Sequence, residues 1–246
     1  MRTVARISVT PVKGFRLAHP EAIELTEHGA RSDRLFSLVW ADGVRVRSSL
    51  NAWHNKVEAR YDAGLLTMRF EDGTVVEGDA GALGEELTIE FGDHRVPVRV
   101  VDGPWEETLS ELAGRPVRLV RGTHGNAGKD APVSLVSDGS LGRLELEAGR
   151  SLDSRRFRML LELAGCEEHE EDGWRGRRVQ IGDAVVRVVT PVVRCAVTTR
   201  DPVTGANDFD TLSLLARYRG EVVFGMLADV ERPGRVRVGD AVAVLD

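Results

Sequence analysis

The chain has 246 residues, 42% of them hydrophobic, a net charge of -6 and two cysteines. That length and composition give one large or two small domains with a packed core. The acidic balance excludes a generalised nucleic-acid surface, which needs a basic footprint to displace phosphate counterions, and two cysteines are too few for a disulfide scaffold.

Residues 1–10 carry no long apolar stretch followed by small residues, and no apolar run approaches the roughly 20 residues of a membrane helix. The expectation is a cytoplasmic protein with reduced thiols, no membrane association and no nucleic-acid partner. Alternating apolar and polar residues predict strands at 4–10, 22–25, 34–40 and 65–70. Asp42-Gly43 and Asp72-Gly73 read as hairpin turns, and strands at 87–91 and 95–101 flank Gly92-Asp93. Trp105, Leu109 and Leu112 share one face of a predicted helix over 105–113, stopped by Gly114 and Pro116. Residues 121–132, rich in glycine and polar side chains, read as a loop or linker.

Strands resume at 133–136, 156–163, 178–181, 184–189, 196–199, 235–238 and 241–245, with one helix at 209–219 that Thr211 is expected to cap. The fold class is therefore mainly β with a few helices. The first part, 1–120, reads as an antiparallel, barrel-like domain and 121–246 as a second β-barrel domain.

Phosphate-loop, nucleophile-elbow and His-Glu-x-x-His signatures are absent. Cys195 follows Pro191-Val-Val-Arg194 near a strand end, and Arg194 and Arg200 favour its thiolate, the form that attacks or binds metal. On spacing alone it reads equally as a small buried hydrophobe. Cys166 precedes an acidic run, 167–172, that reads as a solvated loop. Strand alternation puts Arg156 and Arg158 on one face, either for an anion or for ion pairs with Glu145, Glu147 or Asp153. Lys13-Gly14 at a turn, with Asp33-Arg34 downstream, is an unspecific anion cradle. The polar turn 134–140, with Ser137 and Asp138, either caps a helix starting near Leu141 or lines a site.

In order, these pieces resemble the MOSC domain family (molybdenum cofactor sulfurase C-terminal domains). The segment Arg194-Cys-Ala-Val-Thr-Thr-Arg-Asp-Pro-Val-Thr-Gly205 is similar to that family's cysteine motif, and 224–240, from Phe224-Gly225 to Val238-Gly239-Asp240, to its closing pattern. Arg156-Phe-Arg158 is similar to its Arg-Phe-Arg segment. Pro11-Val-Lys13 and Asp33-Arg34 resemble the β-barrel domain preceding MOSC in amidoxime-reducing proteins. The resemblance implies a molybdenum–molybdopterin cofactor between the two parts, with Cys195 as metal ligand and catalytic centre. It implies Lys13, Arg34, Arg158 and Arg194 as pterin or phosphate contacts, with Gly14, Arg47, Ser137, Asp138 and Arg156 in the same cofactor-binding set. Asp201 or Asp138 would donate protons.

The implied activity is reduction of small N-hydroxylated or N-oxide substrates with electrons from a separate protein. The alternatives are a sulfur carrier with a persulfide on Cys195 and a non-catalytic cofactor carrier. The chain departs from the pattern at Gly14 (serine in the amidoxime-reducing members), at Met159-Leu160 (Pro-Asn), at 46–50 (Thr-Ala-Arg-Gln) and at Met226 (Gln).

Overall fold

The computed structural model describes residues 1–91, 94–122 and 131–245. The expected turn at Gly92-Asp93 and residues 123–130 of the expected loop lie outside the described residues. The strands are β1 (Thr3–Ile7), β2 (Ala22–Thr26), β3 (Gly29–Ala30), β4 (Phe36–Trp40), β5 (Val57–Asp62), β6 (Leu65–Phe70), β7 (Val75–Asp79), β8 (Leu83–Phe91) and β9 (His94–Val101). After the helix α1 (Trp105–Ala113) come β10 (Val117–Gly122) and β11 (Val133–Ser137), and after α2 (Asp138–Ala148) come β12 (Leu161–Ala164), β13 (Arg178–Ile181) and β14 (Ala184–Val193). Helix α3 (Thr211–Arg219) precedes β15 (Val223–Arg232), β16 (Gly234–Arg237) and β17 (Val242–Val244). The chain is mainly β, as its alternation dictates.

The largest sheet has the order β1-β12-β11-β15-β14-β13-β17. Its two edges meet: Val242 N donates to Arg2 O at 2.9 Å and Val4 N to Asp240 O at 2.9 Å. The sheet is thereby a nearly closed barrel with few open edge groups. Val4, Ile7, Leu135, Leu161, Leu163, Val186 and Met226 fill it. A second core, with Phe36, Leu38, Val57, Leu66, Met68, Trp105 and Leu119, lies among β4-β10-β9-β8, β5-β6-β7 and α1. The expected halves share sheets: β1 pairs with β12, and β2 with β16. A cut at residue 120 therefore divides the sequence without dividing the sheets.

Four local expectations change. Residues 154–157 form a 3-10 turn capped by Asp153, whose carboxylate accepts from Arg155 N at 2.9 Å, and Arg158 ends it with φ 53°. The strand begins only at Leu161, so Arg156 and Arg158 do not share a face. Residues 196–199 likewise form a 3-10 turn, in spite of their β-branched run. Pro191 does not end β14. Strand β13 pairs only with Ala184–Arg187, and register shifts flank Pro191 against β15, so its missing N–H costs little. Helix α3 is capped by Asp210, whose carboxylate accepts from Ser213 N at 3.0 Å, and Thr211 lies inside the helix. Among the described residues no helix is long and apolar enough to cross a membrane.

Candidate functional site

A cavity of 410 Å³ opens between the first-half loops and the strand ends of the large sheet. Lys13, Gly14, Arg34, Arg47, Arg158, Arg194 and Cys195 all line it, from segments up to 182 positions apart (195 minus 13). Local geometry explains each placement. Lys13 N donates to Phe36 O at 2.9 Å, which seats the turn after β1 against β4. Gly14 has φ 98°, and a Cβ there would meet His54 Cδ2 at 2.7 Å and Ser48 Cβ at 2.9 Å. Glycine is required on both counts.

Arg34 takes a left-handed conformation, φ 51°, with its N donating to Thr10 O at 2.7 Å. Its guanidinium is ion-paired with the buried Asp33 and donates to Arg158 O at 2.7 Å. Asp33 also accepts from Thr10 N at 2.8 Å. Arg158 donates to Phe15 O at 2.6 Å. Removal from water and the neighbouring Arg34 push its pKa down to about 9.

Arg194 is buried and donates to Phe224 O and Phe157 O, each at 2.9 Å, and to Met159 Sδ at 2.8 Å, with its plane over the Phe157 ring. Burial lowers it to about 9 as well. Carbonyls hold this cation in place, and none of its hydrogen bonds goes to a carboxylate. Cys195 follows, exposed and reduced, as the residue that starts the 196–199 turn. Its carbonyl accepts from Thr198 N and Thr198 Oγ1, both at 3.1 Å, while its side chain makes no capping bond. The thiol is thus presented at the cavity by a backbone it does not itself stabilise.

The structure leaves four expected residues out of the cavity lining. Arg156 is buried and makes a two-pronged pair with Asp208, at 3.1 and 2.9 Å, plus a bond to Thr198 O at 3.1 Å. It braces the turn after Cys195 and does not face the cavity. Ser137 caps α2, accepting from Ser140 N and donating to the buried Glu171 at 2.6 Å, which settles the 134–140 turn as a cap. Asp138 accepts from the backbone N of Gly165 and Cys166. Asp201 accepts from Val203 N at 3.0 Å and Thr204 N at 2.6 Å, and these bonds hold its carboxyl below the usual range. Neither aspartate is placed to donate a proton in the cavity.

Conversely, Arg45, Ser48, Ser49, Ser134 and Met159 line the cavity without having been singled out. The signal for Arg45 was present, since alternation in Val44-Arg-Val-Arg47 puts both arginines on one face.

Beneath Gly14 lies His54, 1% exposed, stacked on Trp53 at 4.2 Å. Its Nδ1 is 2.9 Å from Asn51 O, so Nδ1 carries the proton, and Nε2 is buried without a partner. Burial, with a smaller effect from Arg158 and Arg200, lowers its pKa from 6.5 to about 4. Between pH 6.5 and 4 the unfolded chain therefore binds this proton and the folded chain does not, so stability falls on acidification by up to about 3 kcal/mol. Urea midpoints at pH 7 and pH 4.5 measure this, and His54→Gln is expected to flatten the difference. An unchanged difference would show that other groups dominate acid unfolding.

Comparison with known proteins follows the same motifs. Residues 121–243 match the MOSC domain family. The human mitochondrial amidoxime-reducing component 1 is 30% identical over 292 aligned positions, covering 99% of this chain and 83% of that protein. The chain belongs to the MOSC domain family. The rat mitochondrial amidoxime reducing component 2 is 35% identical to this MOSC protein over 124 residues, which is 46% of this chain and 36% of the rat protein. The aligned part thus spans about a third of that relative's length. The solved structure of the YUAD protein from Bacillus subtilis overlays 98% of this chain and 96% of its own at a TM-score of 0.45 and 11% identity.

Proposed function

We propose that this MOSC protein binds a molybdenum–molybdopterin cofactor in the 410 Å³ cavity and reduces small N-hydroxylated or N-oxide compounds. The observation that carries the reading is the lining itself: one exposed thiol, six cationic side chains (Lys13, Arg34, Arg45, Arg47, Arg158, Arg194) and no Asp or Glu. The donor set fits the cofactor. Among the described residues no group of three or more His, Cys, Asp or Glu could hold a bare metal ion. A metal at Cys195 needs further ligands that the protein does not supply, and a dithiolene supplies them. A thiolate matches such a soft site, and arginines match a phosphate.

When bound, the cofactor supplies a two-electron redox centre. The protein's residues do the rest. Lys13 and Arg158 neutralise the phosphate, Arg194 fixes the backbone ahead of Cys195, and Arg156 and Thr198 fix the turn behind it. Net reduction of an N–OH group consumes two electrons and two protons and releases N–H and water. The electrons come from a separate donor protein, because two cysteines cannot hold an iron–sulfur cluster. Support from relatives is the printed name of the amidoxime-reducing components.

The test is turnover of benzamidoxime by cofactor-loaded protein with reduced methyl viologen as donor. Benzamidine is the expected product. Loaded protein that forms none contradicts the reductase reading. A mass gain of about 32 daltons on Cys195 after treatment with a cysteine desulfurase, in protein that takes up no molybdenum, would establish sulfur carriage instead.

A further inference from the structure

We propose that Arg45 and Arg47 form a carboxylate-binding subsite beside Cys195, so that the substrates of this protein are anionic, carrying a carboxylate on the same small molecule as the reducible N–O group. The inference rests on Cys195 marking the reactive end of the cavity.

The backbone builds the pair. Residues 44–46 run antiparallel to β4, with a bridge between Val39 and Arg45, Val46 N donating to Leu38 O at 2.8 Å and Trp40 N to Val44 O at 2.8 Å. Strand alternation then sends Val46 into the core, where it is 6% exposed, and turns Arg45 and Arg47 together to the opposite face. Both line the cavity that holds Cys195. Each acts on the other: Arg47 and partial burial lower the Arg45 pKa, and Cys195 raises it. Two like charges held on one face repel, and an anion between them relieves that repulsion.

Charge counting separates this pair from the cofactor contacts. A phosphate monoester carries about -1.5 to -2. Arg34 is already neutralised by Asp33. Lys13, Arg158 and Arg194 alone supply three positive charges, enough for one phosphate. Arg34 and Arg158 are joined by a hydrogen bond, at 2.7 Å, and form one cationic group, whereas Arg45 interacts with Arg47 and Cys195. The surplus therefore sits at the thiol, where substrate must approach. Guanidinium groups bind a planar carboxylate through paired N–H donors.

The experiment has two arms on cofactor-loaded protein at low salt. In the first, calorimetry compares the unreactive probes 4-carboxybenzamide and benzamide. The carboxylate is expected to bind about tenfold tighter and to lose most of that advantage at 1 M salt. Arg45→Gln is expected to bring the two affinities together, and Arg45→Lys to restore part of the gap. In the second, the ratio of kcat/KM for 4-carboxybenzamidoxime over benzamidoxime follows the same order across the three proteins. Equal affinities in the native protein would overturn the proposal, as would a preference that survives in Arg45→Gln. Loss of molybdenum from Arg45→Gln would also overturn it, since Arg45 would then be a cofactor contact. A binding preference without turnover of either amidoxime would uphold the subsite while contradicting the reductase reading.

Discussion

Replacing Cys195 by serine is expected to lower benzamidoxime turnover by about 100-fold or more while leaving the fold intact. The hydroxyl is a harder ligand than the thiolate and stays protonated at neutral pH, so the metal loses its matched donor. The fold survives because the Cys195 side chain is exposed and caps nothing; the 196–199 turn is held by its backbone carbonyl, by Thr198 and by Arg156. An exposed substitution of this kind changes stability by only about 0.5 kcal/mol. Equal melting curves beside very different rates are the predicted pattern. Iodoacetamide labelling at pH 7.5 supplies a companion readout on cofactor-free protein. One thiol, Cys195, is expected to react fast, because burial and the nearby Glu170, Asp138 and Glu171 push the Cys166 thiol up to about 12 and keep it protonated. Full activity in Cys195→Ser would remove the thiol from the chemistry.

The second large effect is at Gly14. Gly14→Ala puts a methyl group 2.7 Å from His54 Cδ2 and 2.9 Å from Ser48 Cβ, at φ 98°, where a side chain is strained in any surroundings. His54 is itself fixed by the Asn51 carbonyl and by its stack on Trp53, so it cannot move aside cheaply. Overpacking and the positive φ together cost about 3 kcal/mol. For a chain of this size that lowers the melting midpoint by roughly 6–12 °C. Because Gly14, Ser48 and Lys13 form one wall, cofactor content is expected to fall with stability. The family pattern resembled by the first half has serine at this position; here His54 occupies the space a side chain would need. An unchanged melting midpoint in Gly14→Ala would show that the wall yields.

Much of this was legible in the sequence, and the failures have physical causes. Strict alternation gave 65–70 and 178–181 their observed bounds, because one face of each strand is buried and a slip would expose it. The helix over 105–113 followed from its apolar spacing and from Gly114, which ends it with φ 71°. Alternation misled at 156–158 and 196–199. There side chains or backbone groups from elsewhere in the chain (Asp208 on Arg156, Thr211 on Thr198) stabilise tight turns that local propensity opposes.

The candidate site divides the same way. Lys13, Arg34, Arg158, Arg194 and Cys195 were found through motifs and converge on the cavity. Arg156 has the same chemistry as Arg158, and only the left-handed turn between strand and loop sends them apart. Ser137, Asp138 and Asp201 are polar residues at turns, and each is consumed by backbone amides or by a buried glutamate, a use that no spacing reveals.

The most direct test of the central claim is the molybdenum and pterin content of the protein purified from cells that make the cofactor. Metal analysis and fluorescence of the oxidised pterin are expected to give close to one of each per chain, with molybdenum much reduced in Cys195→Ser. Native protein that carries neither molybdenum nor pterin would contradict the account.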